Sequence, residues 1–147
     1  MKPWRTSDIL RRLGVLCDNP RLAHNVSMTT QQGTGQQGYI AIAAYRPREG
    51  RAAELEALVR EHIPILAAQG LVTSRASVAM RAKDGTIVEV FEWKSAAAIQ
   101  LAHGNPAVSE MWARFNEVCT YEPLASLEES KQLFAGFAPV DLERGPA

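Results

Sequence analysis

Ser74-Arg75-Ala76-Ser77-Val78-Ala79-Met80-Arg81-Ala82-Lys83-Asp84-Gly85-Thr86-Ile87-Val88-Glu89-Val90-Phe91-Glu92-Trp93 is the stretch that decides the architecture. Ser74–Arg81 alternates Ala76, Val78 and Met80 with Arg75, Ser77 and Arg81, the period of a half-buried strand. Thr86–Trp93 is a second strand, carrying Ile87, Val88, Val90, Phe91 and Trp93. Asp84-Gly85 lies between them, and a tight hairpin turn favours residues that tolerate positive φ. The spacing therefore predicts an antiparallel pair.

Upstream the period changes. Leu55, Leu58/Val59, His62/Ile63 and Leu66 recur at helical spacing from Arg51, and Gly70 stands where a left-handed helix cap belongs. Pro64 lies inside this helix, where it removes a backbone donor and predicts a kink near Arg60–Pro64. Before it, Tyr39-Ile40-Ala41-Ile42-Ala43-Ala44-Tyr45 is a short apolar run that reads as a buried strand.

Downstream of Trp93, Ser95 caps a helix through Ala96–His103, which Gly104 interrupts and Asn105-Pro106 restarts. Val108, Met111/Trp112, Phe115 and Val118/Cys119 form the apolar stripe of the second segment. A link after Tyr121-Glu122-Pro123 leads to Leu133–Phe137, read as the last strand. The order is β-α-β-β-α-β, an α+β, ferredoxin-like sandwich whose helices cover one face of an antiparallel sheet. The strands are apolar on both parities, so the second face also calls for cover, and a homodimer joined through the open sheet face supplies it.

Composition narrows the partners. The chain has 147 residues, 46% hydrophobic and 22% charged, consistent with one globular domain. Sixteen basic residues balance sixteen acidic ones, so no excess of cations is available to grip nucleic acid or an anionic membrane. Two cysteines, Cys17 and Cys119, fit a reducing cytoplasm better than a disulfide framework. Residues 1–37 read as a disordered tail: Lys2, Arg5, Arg11, Arg12 and Arg21 outnumber Asp8 and Asp18, and Met28 precedes a polar Gln/Gly/Thr tract. The domain is expected over residues 38–140, with a C-terminal tail over 141–147.

Val90-Phe91-Glu92-Trp93-Lys94-Ser95, followed by Ala98-Ile99-Gln100-Leu101-Ala102-His103-Gly104-Asn105-Pro106, resembles the segment joining strand three to helix two in the antibiotic biosynthesis monooxygenase (ABM) superfamily. The resemblance spans roughly Tyr39 to Val140. It implies a dimeric α/β barrel and, in several branches, cofactor-independent oxidation of anthrones or hydroquinones. The superfamily also contains haem-degrading enzymes, isomerases and proteins without known activity. Quinol-oxygenase-like members carry a glutamate two residues before the tryptophan, where this chain has Phe91, with Glu92 on the opposite face. His103 stands one residue further from Trp93 than in that pattern. The haem-degrading branch uses an asparagine on strand one, then a tryptophan and a histidine on helix two. Tyr39–Tyr45 contains no asparagine, and the other two positions, aligned on Trp93, are Ala102 and Trp112.

Oxidation without cofactor requires a base near neutral pH and an apolar pocket, and histidine suits the first. His62 shares the inward stripe of the first helix; it is either a base reaching the cavity or a histidine that donates to a backbone group near the carbonyl Pro64 leaves free. His103 is either a second polar wall or a residue whose charge complements the helix dipole. Tyr39 and Tyr45 share a strand face with Ala41 and Ala43 between them, making room for a flat ligand or for a helix. Trp93 and Trp112 are candidates to line the pocket, with core packing as the other role. Arg75 and Arg81 share a face and could hold a carboxylate, or simply be solvated.

No metal or cofactor is expected: Glu61-His62 lacks a second histidine, and Gly33-Thr34-Gly35 precedes the first strand. Cys119 reads as a buried thiol. The resulting expectation is a monooxygenase of a small aromatic substrate, with a non-catalytic dimer that binds a small apolar molecule or serves a stress-related role as the alternative.

Overall fold

The structure is a computed structural model, described here over residues 37–144. The expected N-terminal tail thus lies, save for residue 37, outside the described residues. Strand β1 spans Tyr39–Pro47, helix α1 Ala52–Ala68, β2 Val78–Arg81, β3 Ile87–Trp93, α2 Ala96–His103, α3 Pro106–Val118, β4 Cys119–Glu122 and β5 Ala138–Val140. Two 3-10 turns, Leu124–Ser126 and Glu128–Lys131, lie between the last two strands. The strands form one antiparallel sheet in the order β4-β1-β3-β2-β5. This α+β architecture is compatible with a ferredoxin-like arrangement extended by one edge strand.

Local chemistry explains the boundaries. Helix α1 ends in a paired cap: Gly70 adopts φ +70°, while its N–H donates to Ala67 O and the Leu71 N–H donates to Leu66 O. Ser95 Oγ accepts the Ala98 N–H at the start of α2, and Asn105 Oδ1 accepts the Val108 N–H at the start of α3. Gly85 takes φ +90° in the β2–β3 turn, where Asp84 Oδ1 also accepts the Thr86 N–H. Pro64 is accommodated inside α1, which runs as one helix from Ala52 to Ala68.

Strand register assigns the faces. Tyr39↔Trp93, Ala41↔Phe91, Ala43↔Glu89 and Tyr45↔Ile87 lie on one face, against which the helices pack. Leu55, Val59 and Leu66 of α1 and Val108, Met111 and Phe115 of α3 complete that core, each at most 1% exposed. Ile40↔Glu92, Ile42↔Val90 and Ala44↔Val88 lie on the other face. There Leu127 covers Ala44, Ala82 and Val88 as a smaller cluster. Beyond that cover, Ile40, Ile42 and Val78 remain 55%, 51% and 55% exposed.

The C-terminal third departs from the sequence reading. The fourth strand is Cys119–Glu122, immediately after α3, rather than Leu133–Phe137. It fills the free edge of β1, with Tyr121 opposite Tyr45, and Pro123 closes it because proline cannot continue the ladder. Leu133 and Phe134 instead stand in an irregular segment, almost fully exposed. Ala138–Val140 then pairs with β2 on the opposite edge. Leu142, beyond the expected domain limit, packs against the main core.

Candidate functional site

Three polar side chains meet beneath α1. The inward parity of β1 delivers Tyr45, that of β3 delivers Glu89, and the buried stripe of α1 delivers His62. Tyr45 Oη donates to Glu89 Oε2 at 2.9 Å, and His62 Nδ1 lies 2.7 Å from the same oxygen. Their exposures are 2%, 0% and 3% for Tyr45, Glu89 and His62, so the cluster is dry. A carboxylate taken from water into such a place is costly unless donors surround it. Oε2 has two donors. Oε1 has none among the described residues.

Aromatic rings close around the cluster. Phe91 and Phe115 meet the His62 ring edge-on, with centroids at 5.2 Å and 5.4 Å. Tyr45 packs on Phe115 at 5.1 Å and on Tyr121 at 5.6 Å. Burial, and then the neighbouring Glu89 carboxylate, push the Tyr45 phenol well above its ordinary pKa, so it stays a donor. With Nδ1 turned to the carboxylate, Nε2 is the imidazole nitrogen left for a ligand. This is the arrangement by which a carboxylate fixes a histidine's tautomer and steadies its cationic form.

The candidate residues divide. Tyr45 and His62 belong to the cluster, and Trp93 touches its margin through Phe91, with ring centroids 5.3 Å apart. Tyr39 is opposite Trp93 in the sheet and 44% exposed. His103 and Trp112 form their own pair between α2 and α3, centroids 5.0 Å apart, and burial lowers the His103 pKa. His62 engages a carboxylate rather than the backbone carbonyl near Pro64. Arg75 is paired with Glu92 at 2.6 Å, and Arg81 with Glu56, which also holds Arg60. Hydrogen bonds from Arg75 and then Thr73 hold the Glu92 carboxyl below its usual range.

Glu89 is the residue that sequence reasoning missed. It interrupts the inward parity Ile87, Phe91, Trp93 with a carboxylate, and that interruption was the available signal. Cys119 is inert: its Sγ donates to Phe115 O at 3.2 Å, and burial pushes its pKa up to about 12. Among the described residues, no group of three or more His, Cys, Asp or Glu side chains is placed to hold a metal ion.

Two surface clefts lie elsewhere. One, of 440 Å³, is lined by Lys83, Glu128, Glu129, Gln132, Phe134 and Gly136. The other, of 190 Å³, lies between α1 and α3 around Arg51, Leu58 and Arg114. Neither is lined by Tyr45, His62 or Glu89. Among the described residues, no helix is long and apolar enough to cross a membrane. Comparison with known protein families, with curated proteins and with solved structures returns no match for this chain.

Proposed function

We propose that the chain is an ABM-like dimeric α/β barrel that oxidises a small aromatic, anthrone- or quinol-type substrate without a cofactor. The observation that carries this reading is the buried His62–Glu89 pair at 2.7 Å, walled by aromatic rings. His62 Nε2 takes the proton of an acidic hydroxyl or enol, and Glu89 steadies the imidazolium. The substrate anion, now electron-rich, passes electrons to dioxygen and forms a carbon–oxygen bond. For an anthrone, the peroxide so formed collapses to the quinone: one oxygen atom stays on carbon and the other leaves as water, with the two hydrogens that carbon has lost.

The dimer belongs to the same proposal. Ile42, Val90 and Val78 form one row across β1, β3 and β2 on the face the helices leave open, and two of these side chains are more than half exposed. A second copy would dry that row by presenting the same row to it. The balanced charge and the low cysteine content support action in the cytoplasm, away from nucleic acid and membrane.

A second reading, a dimer that only binds a small apolar molecule, is favoured by the 3% exposure of His62. Oxygen uptake by the purified protein over a panel of anthrones and hydroquinones separates the two. Uptake above autoxidation that falls at least tenfold in His62→Ala, with His103→Ala close to wild type, supports the oxygenase with His62 as its base. Uptake no faster than buffer across the panel, with ligand binding retained, selects the binder.

A further inference from the structure

We infer that Glu89 Oε1 is the acceptor by which this site recognises its ligand, taking a hydrogen bond from a hydroxyl carried on a flat aromatic body. The inference rests on reading the cluster as an aromatic-ligand site, but it does not require that the ligand be oxidised.

An ionised carboxylate offers about four lone-pair sites. Among the described residues Glu89 uses Oε2 for both of its protein donors and has no donor on Oε1, although the whole side chain is buried. A buried polar atom without a partner typically costs about 1–3 kcal/mol, and more when it is charged. That cost is recovered by whatever brings a donor to Oε1.

Among the described residues the donor does not come from a neighbouring cation. Arg81 on β2 and Arg60 on α1 are both engaged by Glu56, and Arg60 also donates to Asp141 O at 3.1 Å. The groups that do face the carboxylate are Tyr45 from β1 and His62 from α1, and both spend their donors on Oε2. Two donors on one oxygen also fix the plane of the carboxylate, which sets the direction of the other oxygen in advance. Such preorganisation is what makes one hydrogen bond selective.

The surroundings limit what can carry the donor. Phe91 and Phe115 stand edge-on to the imidazole, and Trp93 lies behind Phe91. A sugar would lose the water around most of its hydroxyls against these rings, with only one acceptor in return. A ring bearing a hydroxyl would keep its apolar contacts and place one O–H on Oε1. Because His62 is buried, entry requires these aromatic side chains to move aside.

The test is anaerobic binding of 1-naphthol and of 1-methoxynaphthalene, which has the same ring but no donor, to the full chain. Wild type should bind the naphthol at least tenfold more tightly. Glu89→Leu should bind the two alike, and Glu89→Gln, which keeps an oxygen but loses the charge, should show a preference reduced at least threefold. Circular dichroism confirms that each variant is folded, and the wild-type ratio stands without any variant. A wild-type ratio within twofold, or binding of neither compound, would overturn the inference. So would a preference that survives in both Glu89 variants or is lost in His62→Ala alone, which would make His62 the recognising group. A preference without oxygen uptake keeps this inference and removes the oxygenase; uptake without a preference does the reverse.

Discussion

Replacing Tyr45 by phenylalanine removes one atom from the buried cluster and tests whether the cluster is coupled. The ring stays packed on Phe115 and Tyr121, so no cavity larger than a hydroxyl opens. What is lost is the 2.9 Å bond to a carboxylate whose other oxygen has no partner among the described residues. A hydrogen bond to a charged group contributes about 1.5–3 kcal/mol, so Tyr45→Phe should cost about that much. For a domain of this size the corresponding loss in Tm is about 5–15 °C. Glu89→Leu should cost more, about 3–5 kcal/mol, because it strands both the phenol and the imidazole N–H in a dry interior. The double variant should cost less than the sum, since the phenol is no longer there to be stranded, giving a coupling of about 1–3 kcal/mol. Urea unfolding of the four proteins, followed by tryptophan fluorescence, measures all of these terms. A Tyr45→Phe cost below about 0.5 kcal/mol together with additive single variants would refute the view that the carboxylate depends on its donors.

Pro64 is exposed and leaves the Arg60 carbonyl without its helical donor, so Pro64→Ala should stabilise the protein by about 1–3 kcal/mol, read as a higher urea midpoint. His103 has its pKa lowered by burial, so its folded-state contribution is fully present above about pH 6.5, where an unfolded histidine titrates. It is lost as pH falls through the folded value, and His103→Gln should show a smaller drop in urea midpoint on acidification than wild type. Ile42→Asp places a charge in the middle of the exposed row, and sedimentation should show wild type at twice the chain mass and the variant at the chain mass.

How far the sequence led can be judged residue by residue. Elements marked by local chemistry were legible: Asp84-Gly85 announced the hairpin, Ser95 and Asn105-Pro106 the helix starts, and Gly70 the end of α1. The fourth strand was not, because Cys119 continues the apolar stripe of α3 and nothing local says that the free edge of β1 will capture Thr120 and Tyr121. Leu133 and Phe134 look like strand residues until the edge they would occupy is already filled. The site was half legible. His62 shows itself on the helical stripe, but its partner is 27 positions away, and only the register Ala43↔Glu89 brings the carboxylate to the covered face. His103 looked equivalent on residue type alone; spatially it keeps company with Trp112.

Glu89 stands on β3, which has β1 on one side and β2 on the other, while α1 and α3 contribute His62 and Phe115 to the rings around it. Amide exchange should accordingly be slowest along this middle strand and faster in the helices, since opening β3 requires breaking two ladders at once. The consequence is a division of labour open to selection. Substitutions in α1 and α3 can reshape the walls, and so alter which molecule fits, while the carboxylate stays where the ladders hold it. Selectivity and proton chemistry can then drift at different rates within one small domain.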